Sequence, residues 1–297
     1  MTEIRRYCGR EFTAPELQTI QRLIAEHSGS SRACLSRLVC ERLHWRRIDG
    51  RLKDMSCRVA MLRMQDDGLL QLPPPRRRNG NGQRYRRRSR EADPEPVALV
   101  APAGALTNLH LEPVDARHRS HLWNEYIDRY HYLGYTPLVG AQLRDLVYAE
   151  DRLLALFGYG ASAWRLAPRD RWIGWSDAQR QAGLPRVVGQ VRFLILPWIR
   201  CPNLASKLLS LSATHLPAHW EQRYGIRPWL LESFVDTGRF EGICYRAANW
   251  IDVGQTQGRG KKDRHRQARL PRKQIYLYPL CPNCRKRLAN ENPVERD

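Results

Sequence analysis

The hydrophobic and polar positions of residues 192–213 change from one period to another. Residues 193–196 form a short continuous apolar run that ends at Pro197, which is typical of a fully buried central strand. From Leu204 onward, leucines recur at the spacing of a helix. The pattern predicts a strand, a loop over 200–203 and a helix, whose N-terminus offers unpaired backbone N–H groups to an anion. An ordinary strand-to-helix corner of an α/β core has the same pattern.

Strand and helix patterns alternate over the rest of the main region, residues 97–280. Apolar runs predict strands at 109–111, 143–149, 153–159, 191–196, 229–235, 250–253 and 276–278, and helical spacing predicts helices at 116–130, 176–183 and 240–249. The early strands follow one another as in a hairpin, whereas helices separate the later ones. This order predicts an α+β fold.

Residues 1–74 show a different organisation, that of a small helical module. Helical spacing predicts three helices, with the first capped by Thr13, the second opened by Ser31 and the third over 53–67. A short strand is predicted at 69–72, and three helices followed by a strand resemble a winged helix-turn-helix, whose third helix enters the major groove. The outward basic residues of that helix are Lys53, Arg58 and Arg63. A helical protein-docking module is the alternative.

The net positive charge of the chain indicates that this α+β protein has a polyanionic partner. Fifty Lys and Arg residues against thirty Asp and Glu give a net charge of +20 and a pI near 10.2. Nucleic acid is the usual partner of so basic a protein, and we expect double-stranded DNA.

Two basic segments concentrate this charge. Residues 75–96 predict a flexible linker and residues 256–273 a loop, because glycines interrupt both. We expect the arginines and lysines of the two segments to contact phosphates, although a solvated tether is the alternative for the linker. The residues concerned are Arg76, Arg77, Arg78, Arg86, Arg87, Arg88, Arg259, Lys261, Lys262, Arg264 and Arg266.

Cysteine use and hydropathy bear on location and metal binding. No run reaches the roughly 18 apolar residues of a membrane span, and the eight cysteines lack framework spacing. We therefore expect a cytoplasmic protein with reduced thiols and no membrane contact. In the tail, 281–297, Cys281 and Cys284 have the spacing of half a zinc site. Because no second pair is close, two free thiols and no metal are expected, and zinc binding is the alternative.

The loop Arg200-Cys201-Pro202-Asn203-Leu204-Ala205 resembles the Arg/Gln-x-x-Gly-x-Gly/Ala loop of the GNAT acyltransferases, although Asn203 replaces the central glycine. The resemblance implies a mixed sheet with helices on both faces. It also implies that Arg200, Asn203, Leu204 and Ala205 hold the pyrophosphate of an acyl-coenzyme A. In the same family a tyrosine often protonates the leaving thiolate, and Tyr245 is the matching residue.

Longer motifs resemble the DruA family of the Druantia anti-phage systems. They are YHYLGYTPLVGAQLR, GASAWRLAPRDRWIGW, RFLILPW, PNLASKLL, LLESFVD and GICYRAANWIDVGQTQGRGKKDRH. This resemblance covers nearly the whole chain and implies phage defence or mobile-DNA biology, with defence-system or transposition proteins as further partners. One departure is Gly189-Gln190-Val191, which stands where the family pattern is rich in asparagine.

Four residues are candidates for proton transfer. His131 can act as a general base because an ordinary histidine pKa lies near neutrality. Glu232 and Asp236 share one face of a predicted strand that is otherwise apolar, and Tyr245 is implied by the GNAT resemblance. The alternatives are a packed aromatic cluster around His131, ionic contacts of the two acids with arginines, and a buried aromatic role for Tyr245.

The main functional hypothesis is transfer of an acyl or related group to nucleic acid or to a DNA-associated target. A Mg²⁺-dependent nuclease or transposase is an alternative. It would need a further acid such as Asp145 or Asp252, because Glu232 and Asp236 are about 13 Å apart along a strand, too far to share one metal pair. A non-catalytic DNA-recognition subunit is the other alternative.

Overall fold

The computed structural model describes residues 4–47, 49–76, 88–95, 97–138, 140–258, 268 and 270–290. The chain divides into two compact units, Met1–Asn81 and Gly82–Asp297. Among the described residues, no helix combines the length and apolar character that crossing a membrane requires.

The first unit begins with a hairpin that the sequence did not predict. Its elements are β1 (Arg5–Tyr7), β2 (Arg10–Phe12), α1 (Ala14–Glu26), α2 (Arg32–Arg42) and α3 (Asp54–Asp66). The three predicted helices are confirmed, including the capping box at Thr13 and the Ser31 side chain that accepts a hydrogen bond from the Cys34 N–H. They enclose a small core that includes Ile20, Leu35 and Met61.

The strand predicted at 69–72 is wrong, because this segment folds back onto α3 instead of pairing with another strand. The Leu69 N–H donates to the Met64 carbonyl, and the Leu72 N–H donates to Gln65 Oε1 at 2.9 Å. The described part of this unit therefore has its hairpin before the helices and no strand after them. The winged-helix arrangement is not confirmed.

We expect Ser31→Ala to lower the free energy of unfolding of the first unit by about 1 kcal/mol, because α2 loses its N-cap acceptor. Urea denaturation followed by circular dichroism measures the change. Ser28→Ala, at an exposed turn residue, is the matched control and should have little effect. An equal loss in both variants would contradict the capping role of Ser31.

The second unit contains the predicted mixed sheet. Its elements are β3 (Leu99–Val100), β4 (Leu109–Pro113), α4 (Arg117–Tyr130), β5 (Gln142–Ala149), β6 (Arg152–Ala161), α5 (Ala167–Ile173), α6 (Asp177–Gly183), β7 (Val187–Ile195), β8 (Ile199–Arg200), α7 (Leu204–Tyr224), β9 (Leu230–Asp236), α8 (Ile243–Ala247), β10 (Ile251–Gln255), β11 (Lys273–Pro279) and α9 (Cys284–Leu288). Seven strands form one sheet in the order β10-β11-β9-β7-β6-β5-β4. The α+β class is confirmed. The central strand starts at Val187, earlier than predicted, and the short helix α5 was not predicted.

Helices pack on both faces of this sheet. Consecutive residues of β5 show it, because Arg144 donates to Asn124 of α4 at 3.0 Å while Asp145 lies 3.9 Å from His219 of α7. On the α4 side the indole of Trp123 fills the space above Gly158, where an added Cβ would meet the ring at 2.9 Å. A glycine is therefore required at this close approach.

The centre of the sheet is a fork between two parallel strands. β7 pairs with β9 only from Val187 to Gln190. Beyond that point β7 stays with β6 after a register shift opposite Gly158 and Tyr159, while β9 stays with β11. The two strands therefore diverge, and the chain passes from β7 through a loop into α7. A mixed sheet with this strand-loop-helix-strand centre resembles the GNAT fold that the sequence implied.

Candidate active site at the fork between two parallel strands

On the α7 side of the fork, a buried tyrosine joins the two diverging strands. The Tyr245 hydroxyl donates to Gln190 Oε1 at 2.7 Å and accepts from Ser233 Oγ at 3.1 Å. Gln190 lies on β7 and Ser233 on β9, so α8 places this hydroxyl where the strands separate. Burial raises the pKa of Tyr245 above its ordinary value, which keeps the phenol protonated at neutral pH.

The tyrosine is held in place by the glycine that starts its helix. Gly242 is the N-cap of α8 with φ of 70°, a left-handed conformation that glycine adopts readily. A Cβ at Gly242 would collide with the Tyr276 hydroxyl, and the Tyr276 ring stacks on Tyr245 at 5.2 Å. The Nε2 of Gln190 is buried and has no hydrogen-bond partner among the described residues. The fork therefore contains a fixed hydroxyl donor beside an unsatisfied amide.

On the α4 side of the fork lies His131, at the C-terminal end of α4. Burial lowers the pKa of His131 to about 4, with smaller contributions from the charges of Arg192 and Lys273. The imidazole is therefore neutral at pH 7 and can accept a proton, although it is a weaker base than an ordinary histidine. Asp236 pairs in register with Lys273, and its charge acts on the neighbouring Tyr132. The structure thus brings His131 and Asp236 to the same end of the fork.

Glu232 belongs to a different environment from Asp236. It is completely buried and accepts from Arg169 at 2.8 Å and from the Ala163 N–H at 2.9 Å. Burial raises the pKa of Glu232, while the Arg169 guanidinium opposes that shift. Arg169, which is also fully buried, contacts Asp170 as well. Glu232 thus anchors α5 to the sheet, and its contacts match the ionic role that the sequence left open as an alternative.

The loop before α7 has Asn203 in place of the central glycine of the GNAT pattern, and its backbone adopts the left-handed conformation that glycine favours. Asn203 adopts a left-handed φ of 62° at the N-cap of α7, a conformation that asparagine tolerates better than most residues. Arg200 is exposed and Leu204 is buried. Within the described chain, the N–H groups of Ala205 and Ser206 have no backbone or capping partner.

The segment from Leu99 to Ala103 lies alongside this loop, which the sequence did not predict. Strand β3 pairs with β8 in parallel, and the Lys207 amine donates to the Ala103 carbonyl at 2.8 Å. The Ala103 N–H in turn donates to the Pro202 carbonyl at 3.4 Å. The segment therefore holds the loop in place, and the charged Lys207 amine is engaged in one of the hydrogen bonds between them.

A second buried acid, Asp145, was named in the sequence only as an extra metal ligand. It is 1% exposed, and burial raises its pKa to about 7. Its Oδ1 has no hydrogen-bond partner among the described residues. Asp145 lies in a strand that also contains Gln142 and Arg144, so its sequence context did not single it out, and neither did that of Arg169.

The predicted nucleic-acid contacts fall into three groups. In the first unit, Arg58 pairs with Asp54 at 3.5 Å, while Lys53 and Arg63 are exposed beside the apolar side chains Met55 and Val59. Arg76 donates to the Gly29 carbonyl, and Arg88 pairs with Asp128. The remaining predicted contacts lie outside the described residues: Arg77, Arg78, Arg86, Arg87, Arg259, Lys261, Lys262, Arg264 and Arg266.

The two thiols of the C-terminal segment lie close together. A hydrogen bond with Cys284 is the main cause that lowers the pKa of Cys281 to about 6. Both border a cavity of about 520 Å³ that is also lined by Trp172 and Arg285.

Among the described residues, no group of three or more His, Cys, Asp or Glu side chains could hold a metal ion. The Mg²⁺ hypothesis therefore has no support among these residues.

Comparisons with solved structures return acyltransferases at low similarity. The aminoglycoside acetyltransferase AAC(6')-Ib in complex with coenzyme A shares 13% identity at a TM-score of 0.38, over 61% of this chain and 98% of that one. The ribosomal-protein-S18-alanine N-acetyltransferase from Escherichia coli shares 12% identity at a TM-score of 0.35, over 58% and 94%. These overlaps are too loose to carry an inference about activity.

Sequence comparison is more decisive. A search of curated proteins found no match. The model of the family described as "Druantia protein DruA" matches residues 63–268, which is more than half of the chain and includes the fork, the loop before α7 and the Tyr245 helix. The chain therefore belongs to the DruA family.

Proposed function

We propose that this DruA-family protein transfers an acyl or related group from an acyl-coenzyme A to nucleic acid or to a DNA-associated target. The observation that carries the proposal is the fork itself. It places a buried tyrosine hydroxyl between two diverging parallel strands, and the chain passes from the first of these strands through a loop into a long helix whose first N–H groups are free among the described residues. The net charge of +20 supports a nucleic-acid target.

The residues around the fork fit a phosphate-bearing thioester in two respects. The N–H groups of Ala205 and Ser206 are unpartnered at the positive end of a 21-residue helix, the kind of site that binds phosphate. The left-handed Asn203 lets the backbone turn as a glycine would. Arg200, Asn203, Leu204 and Ala205 would therefore hold the pyrophosphate, and the exposed Arg200 would add positive charge.

An acyl-coenzyme A supplies an activated acyl group on a leaving thiolate. Tyr245 would donate a proton from its hydroxyl, which is protonated at neutral pH, although burial raises its pKa and so makes it a weaker acid than an ordinary tyrosine. It would exchange its hydrogen bond to Gln190 for that task, and the unpaired Nε2 of Gln190 can stabilise nearby negative charge. On the opposite side, the neutral His131 would accept a proton from the attacking group at Nδ1, in exchange for the hydrogen bond that this atom accepts from the Leu133 N–H, with Asp236 nearby. Glu232 positions α5 and takes no part in proton transfer in this scheme.

One observation favours a second candidate, a nucleic-acid recognition subunit without catalysis. The Tyr245 hydroxyl is buried and already engaged on both sides, by Gln190 and by Ser233. A protein that only binds would need no free proton donor at this position. The two candidates differ in whether acyl-coenzyme A binds at all.

Titration calorimetry with coenzyme A tests the proposal. The wild-type protein should bind, and a ligand present at 100 times its Kd should add about 2.7 kcal/mol to the free energy of unfolding. Arg200→Glu should weaken binding about tenfold or more, since it reverses charge beside the helix N-terminus. The control is Arg171→Glu, which makes the same change at an exposed residue of α5.

Three results would contradict the acyltransferase proposal. The first is no binding of coenzyme A by the wild type, which would leave the recognition subunit as the better candidate. The second is unchanged affinity in Arg200→Glu. The third is an equal loss of coenzyme A affinity in Arg200→Glu and Arg171→Glu, which would show that the change in net charge alone causes the loss.

A further inference from the structure

An aromatic pair lies exposed at the outer end of the fork. Phe240, in the turn after β9, is 49% exposed, and Tyr132, just after α4, is 37% exposed. Their rings meet edge to face at 5.3 Å. Tyr132 is also stacked on His131 at 4.8 Å, so its ring is held in place. Phe240 therefore keeps about half of its surface open to solvent beside a neighbour that is held in place.

Positive charge surrounds this pair. The Arg239 guanidinium lies 5.3 Å from the centre of the Tyr132 ring, and the charges of Arg192 and Lys273 both act on the adjacent His131. Among the described residues, none of these three cations has a carboxylate within ion-pair distance; the Arg192 side chain bonds instead to Thr136 Oγ1 and to backbone carbonyls. Asp236 is a carboxylate whose charge acts on Tyr132. We call Tyr132, Arg192, Arg239, Phe240 and Lys273 the fork rim.

An exposed aromatic ring beside cations that have no ion pair among the described residues matches one class of ligand well. Single-stranded nucleic acid binds through bases that stack on aromatic side chains and through phosphates that meet Arg and Lys. A base inside a duplex is covered on both faces by its neighbours and cannot stack on a protein ring until it leaves the helix. An acidic peptide would satisfy the cations but would leave the open ring without a planar partner.

We propose that the fork rim binds an unpaired nucleobase, which stacks on Phe240 while Arg192, Arg239 and Lys273 hold the flanking phosphates. This binding deepens the proposed function, because His131 and Asp236 at the same end of the fork would then face a nucleotide as acceptor. Only the role of the nucleotide as acceptor rests on the proposed function. Binding itself is measurable with no acyl-coenzyme A present.

The test uses fluorescence anisotropy with the full-length protein and labelled 20-nucleotide oligothymidine, compared with a 20-base-pair duplex, at 150 mM salt. Phe240→Ala should weaken single-strand binding about tenfold or more and change duplex binding less than about twofold. Phe240→Trp should restore single-strand affinity, because it returns an aromatic face. Trp164→Ala, which removes another exposed aromatic in the same unit, should leave both affinities unchanged.

A second variant reports on the cations. Arg239→Gln should weaken single-strand binding and lower the slope of log affinity against log salt by about 0.7, the value for one lost phosphate contact on a single strand. The proposal is overturned by wild-type affinity in Phe240→Ala, by no recovery in Phe240→Trp, or by an equal loss for single strand and duplex. Displacement of the oligonucleotide by polyglutamate at equal charge concentration would also overturn it, in favour of an acidic peptide. Coenzyme A titration of Phe240→Ala separates the two proposals, because that affinity should remain at the wild-type value.

Discussion

Arg169→Met should lower the free energy of unfolding of the second unit by about 3–5 kcal/mol at pH 7, because it leaves the buried Glu232 carboxylate without its cation. Arg169 and Glu232 are both fully buried and lie 2.8 Å apart. The guanidinium also donates to the Ala163 carbonyl and to Asp170. A methionine side chain replaces the volume of the arginine but none of these hydrogen bonds. Urea denaturation followed by tryptophan fluorescence measures the loss.

Two further variants separate lost charge compensation from lost packing. The double variant Arg169→Met with Glu232→Leu removes both charges and should recover most of the stability, since buried ion pairs can often be replaced by apolar residues without loss. Arg171→Met, at an exposed neighbouring position, should change stability little. The loss in Arg169→Met should also shrink at pH 5, where the uncompensated Glu232 can take up a proton. A double variant as unstable as the single one would contradict the ion-pair explanation.

Asp145 should make the stability of the second unit fall as pH rises from about 4 to about 7. Burial raises its pKa in the folded chain to about 7, whereas an unfolded aspartate has a pKa of about 3.9. Between these values the unfolded state releases a proton that the folded state retains, so the free energy of unfolding falls with each pH unit. The contribution is complete below pH 4 and is lost by pH 8. A difference of three pKa units corresponds to about 4 kcal/mol.

Asp145→Asn isolates this contribution, because the amide does not titrate. The groups that face Asp145 are His219 on α7 and Tyr159 on β6. His219 acts with the opposite sign, since burial lowers its pKa and its stabilising contribution is lost below about pH 6.5, but it is present in both proteins. Relative to wild type, Asp145→Asn should gain about 4 kcal/mol between pH 4 and pH 8 in urea titrations. Asp151→Asn, at an exposed position, should follow the wild-type curve, and parallel curves for Asp145→Asn would contradict the assignment.

Local patterns predicted most of the secondary structure, for reasons that lie within each segment. The cap of α1 at Thr13 and that of α2 at Ser31 need only residues three positions away. The strands of the main sheet are apolar runs bounded by turns, and burial on both faces is what makes them apolar. The same rule did not predict α5, which Arg169 joins to the sheet through Glu232, 63 residues away. It also failed at 69–72, where apolar residues pack on α3 instead of forming a strand.

The candidate site was predicted less completely. The sequence named Tyr245, His131 and the Arg200 loop, because each belongs to a recognisable motif. It could not indicate that Gln190 and Ser233 would meet at the Tyr245 hydroxyl, since the three residues reach it from different elements. It grouped Glu232 with Asp236 by strand spacing. The structure separates the two acids, because Glu232 is paired with Arg169 of α5, whereas Asp236 lies at the open end of the fork near Tyr132.

By itself the amino-acid sequence determined the basic character of the protein, its DruA-like motifs, its α+β class and the helix and strand positions that depend on neighbouring residues. Tertiary structure alone decided where β7 and β9 separate, which charges are buried together and which aromatic ring remains open to solvent. The physical reason is range. Hydrophobic periodicity and capping act over a few residues, whereas desolvation and ion pairing depend on residues that become neighbours only when distant strands and helices pack.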